Sequence, residues 1–165
     1  MRTDKLYLVG FMAAGKTTLA SALGERLTWR VEDLDGLIEA HERMTIADIF
    51  ARRGEPHFRA VEREMLRLVL PLRHTVVATG GGTFVDPENR ALINHDGLSI
   101  WIDVPFEELL ARLPTDGRRP LAADRDQMAN LYAVRRQSYE QAHLRLDARS
   151  APIGELVERT LEWLE

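Results

Sequence analysis

The chain has 165 residues, 45% of them apolar and 29% charged, enough for one domain with a full hydrophobic core. A net charge of −4 argues against a nucleic-acid ligand, and the absence of cysteine removes disulfides and thiolate metal sites. No run approaches the roughly 20 apolar residues of a membrane span, and the first residues read as a strand rather than a leader, so a cytoplasmic chain is expected.

In chain order, Lys5 to Val9 reads as an apolar strand. Lys16 to Leu27 then sets Leu19, Ala20, Leu23 and Leu27 on one helical face. A polar strand around Trp29 to Asp33 precedes helices near Leu34 to His41, Thr45 to Arg53 and Glu55 to Leu70. Thr75 to Ala78 is a buried strand running into Thr79-Gly80-Gly81-Gly82. Asp86-Pro87-Glu88 opens a helix, with an aspartate to cap it and proline at its first position. Leu98 to Ile102 is a strand, Pro105 to Leu113 a helix, and Pro114 to Asp126 a polar, basic loop. A helix over Asp126 to Ala142, a strand from Leu144 to Leu146 and a helix from Pro152 to Leu164 complete the chain. Apolar strands alternating with helices predict an α/β fold, a parallel sheet covered on both faces. Ligands gather at the carboxyl ends of such strands.

The most specific local signal is Gly10-Phe11-Met12-Ala13-Ala14-Gly15-Lys16-Thr17, which satisfies G-x-x-x-x-G-K-[ST] between a strand and a helix. A chance match in this length is on the order of one in a hundred. Loop and helix N–H groups surround an anion there, Lys16 reaches the β and γ phosphates, and the Thr17 hydroxyl ligates magnesium. Ala13, Ala14 and Thr18 belong to the same cradle. The site is read as one for a nucleoside triphosphate with Mg2+.

Asp33-Leu34-Asp35 closes the second strand, either as helix-start carboxylates or as the acceptor and metal side of the site. Three successive glycines, Gly80 to Gly82, imply that a ligand or another backbone lies against that turn. Arg59 and Glu62 share a helical face, either as an exposed ion pair or as a guanidinium held to grip an anionic substrate. Arg118 and Arg119 in the basic loop, and Arg135-Arg136 in the following helix, are either solvated surface arginines or cations that neutralise phosphate charge as a segment closes.

Taken together these residues resemble the shikimate kinase family over nearly the full chain. The resemblance rests on Gly10 to Thr17, Asp33-Leu34-Asp35, TIADIFARRGEPHFRAVE from Thr45 to Glu62, TGGG from Thr79 to Gly82, Arg119-Pro120-Leu121, and Arg135 to Tyr139. It implies a nucleoside-monophosphate-kinase-like fold: a three-layer α/β/α single domain over residues 1–165 with a five-stranded parallel sheet. A substrate-binding helical region falls at about 33–62 and a lid at about 113–126. It also implies transfer of the ATP γ-phosphate to the 3-hydroxyl of shikimate, in aromatic amino-acid biosynthesis, by a monomer without nucleic-acid or membrane partners.

By that resemblance Lys16 stabilises the transferring phosphate, while Thr17 and Asp33 hold Mg2+. Asp35 contacts the acceptor hydroxyl as its base. Arg59 and Arg135 bind the shikimate carboxylate, and Gly80, Gly81 and Gly82 touch the substrate. Arg119 faces the phosphates from the lid, Arg112 packs on adenine, and Arg149 begins an adenine-contacting loop that runs to Pro152. Two positions depart from the family pattern. Ala13 replaces a frequent glycine, which is harmless unless the residue needs a positive φ. Gln137-Ser138 replaces the usual Pro-Leu, and either Arg135 or Arg136 can face the site. Two other readings stand beside this one: a kinase of another sugar acid such as gluconate, and a nucleotide-binding regulatory protein without transfer activity.

Overall fold

In a computed structural model, residues 3–113 and 125–165 are described. Five strands, β1 (Lys5–Val9), β2 (Arg30–Asp33), β3 (Thr75–Ala78), β4 (Leu98–Asp103) and β5 (Leu144–Asp147), form one sheet in the order β2-β3-β1-β4-β5. Every pairing is parallel, with Leu8 opposite both Ala78 and Ile100. All residues of β1, β3 and β4 are buried. Since successive side chains point to opposite faces, unbroken burial means that both faces of these strands are covered. The edge strands β2 and β5 are only partly buried, which explains why β2 reads as polar.

The helices are α1 (Lys16–Leu27), α2 (Leu34–Glu42), α3 (Ile46–Arg53), α4 (Glu55–Val69), α5 (Pro87–Asp96), α6 (Phe106–Arg112), α7 (Arg125–Tyr139) and α8 (Ile153–Leu164). Their starts follow from local chemistry. Thr45 caps α3 by accepting from the Asp48 N–H, and Asp86 caps α5 by accepting from those of Glu88 and Asn89. Pro56 and Pro87 occupy first-turn positions, where no amide hydrogen is missed.

Two expected boundaries move. The helix expected over Asp126 to Ala142 begins one residue earlier, at Arg125, and ends at Tyr139 instead of Ala142. A short 3₁₀ turn, Thr83–Val85, follows the glycines and was not anticipated. Most of the expected lid, residues 114–124, lies outside the described residues, and Arg118 and Arg119 with it. Among the described residues no helix is long and apolar enough to cross a membrane.

The topology decides where a ligand can lie. The chain leaves β1 towards one edge, through β2 and β3, and leaves β3 towards the other, through β4 and β5. Loops that depart in opposite directions from adjacent strands open a crevice between them at their carboxyl ends. The loops bounding it are Gly10–Gly15 after β1 and Thr79–Gly82 after β3.

Candidate active site

A cleft of about 730 Å3 occupies that crevice. Its floor is Met12 to Thr18, with Asp33, Asp35, Thr79 and Gly81 on one side. Arg112, Ala148, Ala151, Pro152, Ile153 and Leu156 line the other. The loop turns into α1 through Gly15, at φ 97°, a conformation that costs a residue with a Cβ. Ala13 takes φ 64°, so here the methyl group does sit in the left-handed region. Arg112 secures this strained segment: its Nη1 donates to the carbonyls of Ala13 (3.2 Å) and Ala14 (3.3 Å).

Lys16 is buried at the head of α1, and its Nζ donates to the carbonyls of Gly10 (2.7 Å) and Phe11 (2.8 Å). The Thr17 hydroxyl donates to Asp33 Oδ2 at 2.7 Å, while Asp33 Oδ1 accepts from the Gly36 N–H and caps α2. Asp33 therefore serves as a helix cap and also stands at the phosphate loop. A hydroxyl and a carboxylate, both hard oxygen donors, suit magnesium, which keeps several waters and needs few protein ligands. Among the described residues there is no cluster of three or more His, Cys, Asp or Glu that could hold a metal.

The glycine turn is pressed by charged side chains, and Gly80 within it is buried rather than exposed. A Cβ on Gly80 would lie 2.8 Å from Asp35 Oδ1, and one on Gly82 would lie 2.6 Å from Arg59 Nη2. A Cβ on Gly81 would lie 3.2 Å from Arg135 Nη1. The backbone next to these glycines thus leaves room for Asp35, Arg59 and Arg135 together.

Arg59 is held from behind. Its Nη1 donates to both oxygens of Glu62, at 3.0 and 3.1 Å, and Glu62 is only 1% exposed. An exposed surface pair is thereby ruled out. Glu62 also accepts from the Thr83 hydroxyl, which in turn accepts from the Gly80 N–H, each at 2.9 Å.

Of the two adjacent arginines, Arg135 faces the turn, with its guanidinium over the Phe11 ring. Burial pushes the Arg135 pKa down; Tyr139 opposes this and the positive charge of Arg59 adds to it. A partly buried cation near a second cation favours a bound anion. Arg136 turns away. It makes a two-armed pair with Asp103 (2.8 and 3.2 Å), stacks on Trp101 and donates to the Tyr132 hydroxyl.

Arg149 is exposed and its backbone N–H is bonded to Asp147. It does not line the cleft, although its neighbours Ala148 and Ala151 to Ile153 do. Sequence reasoning missed Ala148, Ile153 and Leu156 as lining residues, and Thr83 as a member of the hydrogen-bonded network. A hydroxyl three residues after Gly80 is the available signal for Thr83, since Ser and Thr commonly bond to nearby backbone in turns.

A family model described as shikimate kinase matches residues 12–165. A shikimate kinase of Geobacter metallireducens is 40% identical over 161 residues, covering 96% of this chain and 90% of that protein. The crystal structure of the Aquifex aeolicus shikimate kinase is similar with a TM-score of 0.88 at 33% identity, covering 97% of this chain and 95% of that one. The shikimate kinase of Acinetobacter baumannii, solved in complex with shikimate, matches with a TM-score of 0.91 at 31% identity, over 98% and 93%. Phosphate loop, acidic pair, buried Arg59–Glu62 unit and glycine turn all lie within or against this matched span, and the chain belongs to the shikimate kinase family.

Proposed function

We propose that this chain transfers the γ-phosphate of ATP to the 3-hydroxyl of shikimate, giving shikimate 3-phosphate and ADP, a step of aromatic amino-acid biosynthesis. The observation that carries the reading is the convergence of Asp35, Arg59 and Arg135 on one glycine turn facing the phosphate loop. A carboxylate beside two cations suits an acceptor with a reacting hydroxyl and a carboxylate of its own.

In this reading Lys16 leaves the carbonyls of Gly10 and Phe11 to meet the β and γ phosphates, drawn by their larger charge. Thr17 and Asp33 would hold magnesium, which would supply neutralisation of the phosphate charge. Asp35 aligns the acceptor hydroxyl and takes its proton as the oxygen bonds to phosphorus and ADP departs. Arg59, anchored on Glu62, and Arg135 grip the acceptor carboxylate. Arg112, with Ala148 and the Ala151-Pro152 segment, borders the adenine side, and Arg119, which lies outside the described residues, is assigned to the phosphates. The same reading has the enzyme acting alone in the cytoplasm as one kinase domain, and light scattering tests the monomer.

Steady-state ADP release with Mg-ATP, with and without shikimate, tests the assignment. Strong stimulation by shikimate, and none by gluconate or related sugar acids, is the expected result. Turnover only with another sugar acid reassigns the acceptor, and nucleotide binding without turnover removes the catalytic reading.

A further inference from the structure

We propose that Thr83 is a positioning residue for the acceptor: its hydroxyl ties the glycine turn to the carboxylate that holds Arg59. The inference rests on the proposed kinase reading and deepens it. Thr83 is fully buried, at 0% exposure, and its main chain is fixed on both sides. Its N–H donates to the Gly80 carbonyl, and its own carbonyl accepts from Asn89 Nδ2 on α5. The hydroxyl accepts from the Gly80 N–H, so the one proton it carries goes to Glu62 Oε2, at 2.9 Å.

Two parts of the acceptor site hang on that hydroxyl. Glu62, 1% exposed, holds Arg59 through both of its oxygens and has almost no access to water as a substitute partner. Without the hydroxyl, Oε2 keeps only the guanidinium, and the two groups are free to rotate together. Gly80 also loses the acceptor for its N–H, and Gly80 is the backbone against which Asp35 Oδ1 lies. The grip on the acceptor carboxylate and the wall beside the proposed base loosen in one step. The phosphate loop takes no part in this chain of bonds, so nucleotide affinity is spared.

Thr83→Val keeps the shape and deletes the hydroxyl, whereas Thr83→Ser keeps the hydroxyl. Kinetics of ADP release are measured for wild type and both variants, with thermal melts to verify folding. The expected result is a KM for shikimate raised about five- to tenfold in Thr83→Val, the scale of one typical lost hydrogen bond. The KM for ATP is unchanged, and Thr83→Ser lies within about twofold of wild type. In a Glu62→Gln background the valine substitution adds little, because the effect runs through Glu62. A folded Thr83→Val enzyme with wild-type shikimate KM overturns the inference, as does an equal rise in both KM values. A wild type that shows no shikimate-stimulated ADP release removes the kinase reading and the inference together, whereas an active wild type with an unaffected valine variant removes only the latter.

Discussion

A carboxylate in the first turn of a helix favours that helix whatever else it does, so the role of Asp35 needs a substitution that separates the two effects. Asparagine keeps the size and one acceptor oxygen but takes no proton and attracts no cation. Asp35→Asn is expected to lower turnover by about 10² to 10⁴, the usual worth of general-base assistance. Nucleotide affinity stays near wild type, because Lys16, Thr17 and Asp33 remain. Single-turnover kinetics beside a nucleotide titration read both quantities, and full activity in the variant reduces Asp35 to a helix-start residue. Ala13 poses the opposite case, a residue that fits the chemistry and strains the backbone. At φ 64° its methyl group costs on the order of 1 kcal/mol, partly offset because alanine restricts the unfolded chain more than glycine does. Ala13→Gly should therefore raise the melting temperature by roughly 1–3 °C. The same melt with Mg-ATP present should show the gain retained; a variant no more stable than wild type means that the loop relaxes around alanine.

At the scale of elements, the glycine turn is the part most dependent on neighbours from elsewhere in the chain. Gly82 has φ −106°, open to any residue, so its need for glycine comes only from the Arg59 guanidinium lying where a Cβ would be. Gly82→Ala should leave the fold within about 2 °C of wild type while displacing that guanidinium. The shikimate KM should rise roughly tenfold or more, the scale of a disturbed charge-assisted contact, with the ATP KM unchanged. An unaffected shikimate KM detaches Arg59 from the acceptor. These couplings also mark what could be read from sequence. The strands β1, β3 and β4 were legible because burial on both faces writes a continuous apolar run, and α3, α4 and α5 because capping residues and prolines mark their starts. The phosphate loop was legible because its chemistry is local. Which of Arg135 and Arg136 faces the site was not. Adjacent helical residues point about 100° apart, and the rotation of α7 is set by Asp103, Trp101 and Gly81, all remote in sequence. Thr83 escaped for the same reason, since its partner Glu62 lies 21 residues away on another element.

Across the whole molecule the two ends of the sheet do different work. Phosphate and acceptor groups gather at the carboxyl ends of the strands, while the amino ends carry an ionic cluster built around buried Lys5. There Lys5, 0% exposed, pairs with Asp96 at 3.1 Å and donates to the carbonyls of Val69 and Leu70 at the end of α4. Asp96 also accepts from the Tyr7 hydroxyl (2.5 Å) and from Arg73 (2.8 Å), which reaches Asp4 as well. Burial alone would raise the Asp96 pKa, but the hydrogen bonds from Tyr7, Arg73 and Lys5 hold it below its ordinary value. Burial lowers the Lys5 pKa, and Asp96 only partly restores it. Asp96→Asn leaves a buried ammonium without its paired carboxylate. It should cost roughly 2 kcal/mol, less than the usual loss for a fully buried pair because Asp96 retains some contact with water. In a chain of this size that is roughly 4–8 °C of melting temperature, with turnover within about twofold of wild type. The pH dependence has two arms. The depressed Asp96 pKa gives stability that is present above the ordinary carboxylate range near about 4 and is lost as pH falls through the lower folded value. The depressed Lys5 pKa means that the unfolded chain binds more protons at alkaline pH, so the penalty of burying the ammonium eases as pH rises towards about 10. Removing Asp96 deepens that depression. The stability gap between wild type and Asp96→Asn should thus be widest near neutrality and narrow towards both pH 3 and pH 10. Melting curves across that range decide it: a gap that stays constant means the pairing of Lys5 with Asp96 contributes nothing through charge.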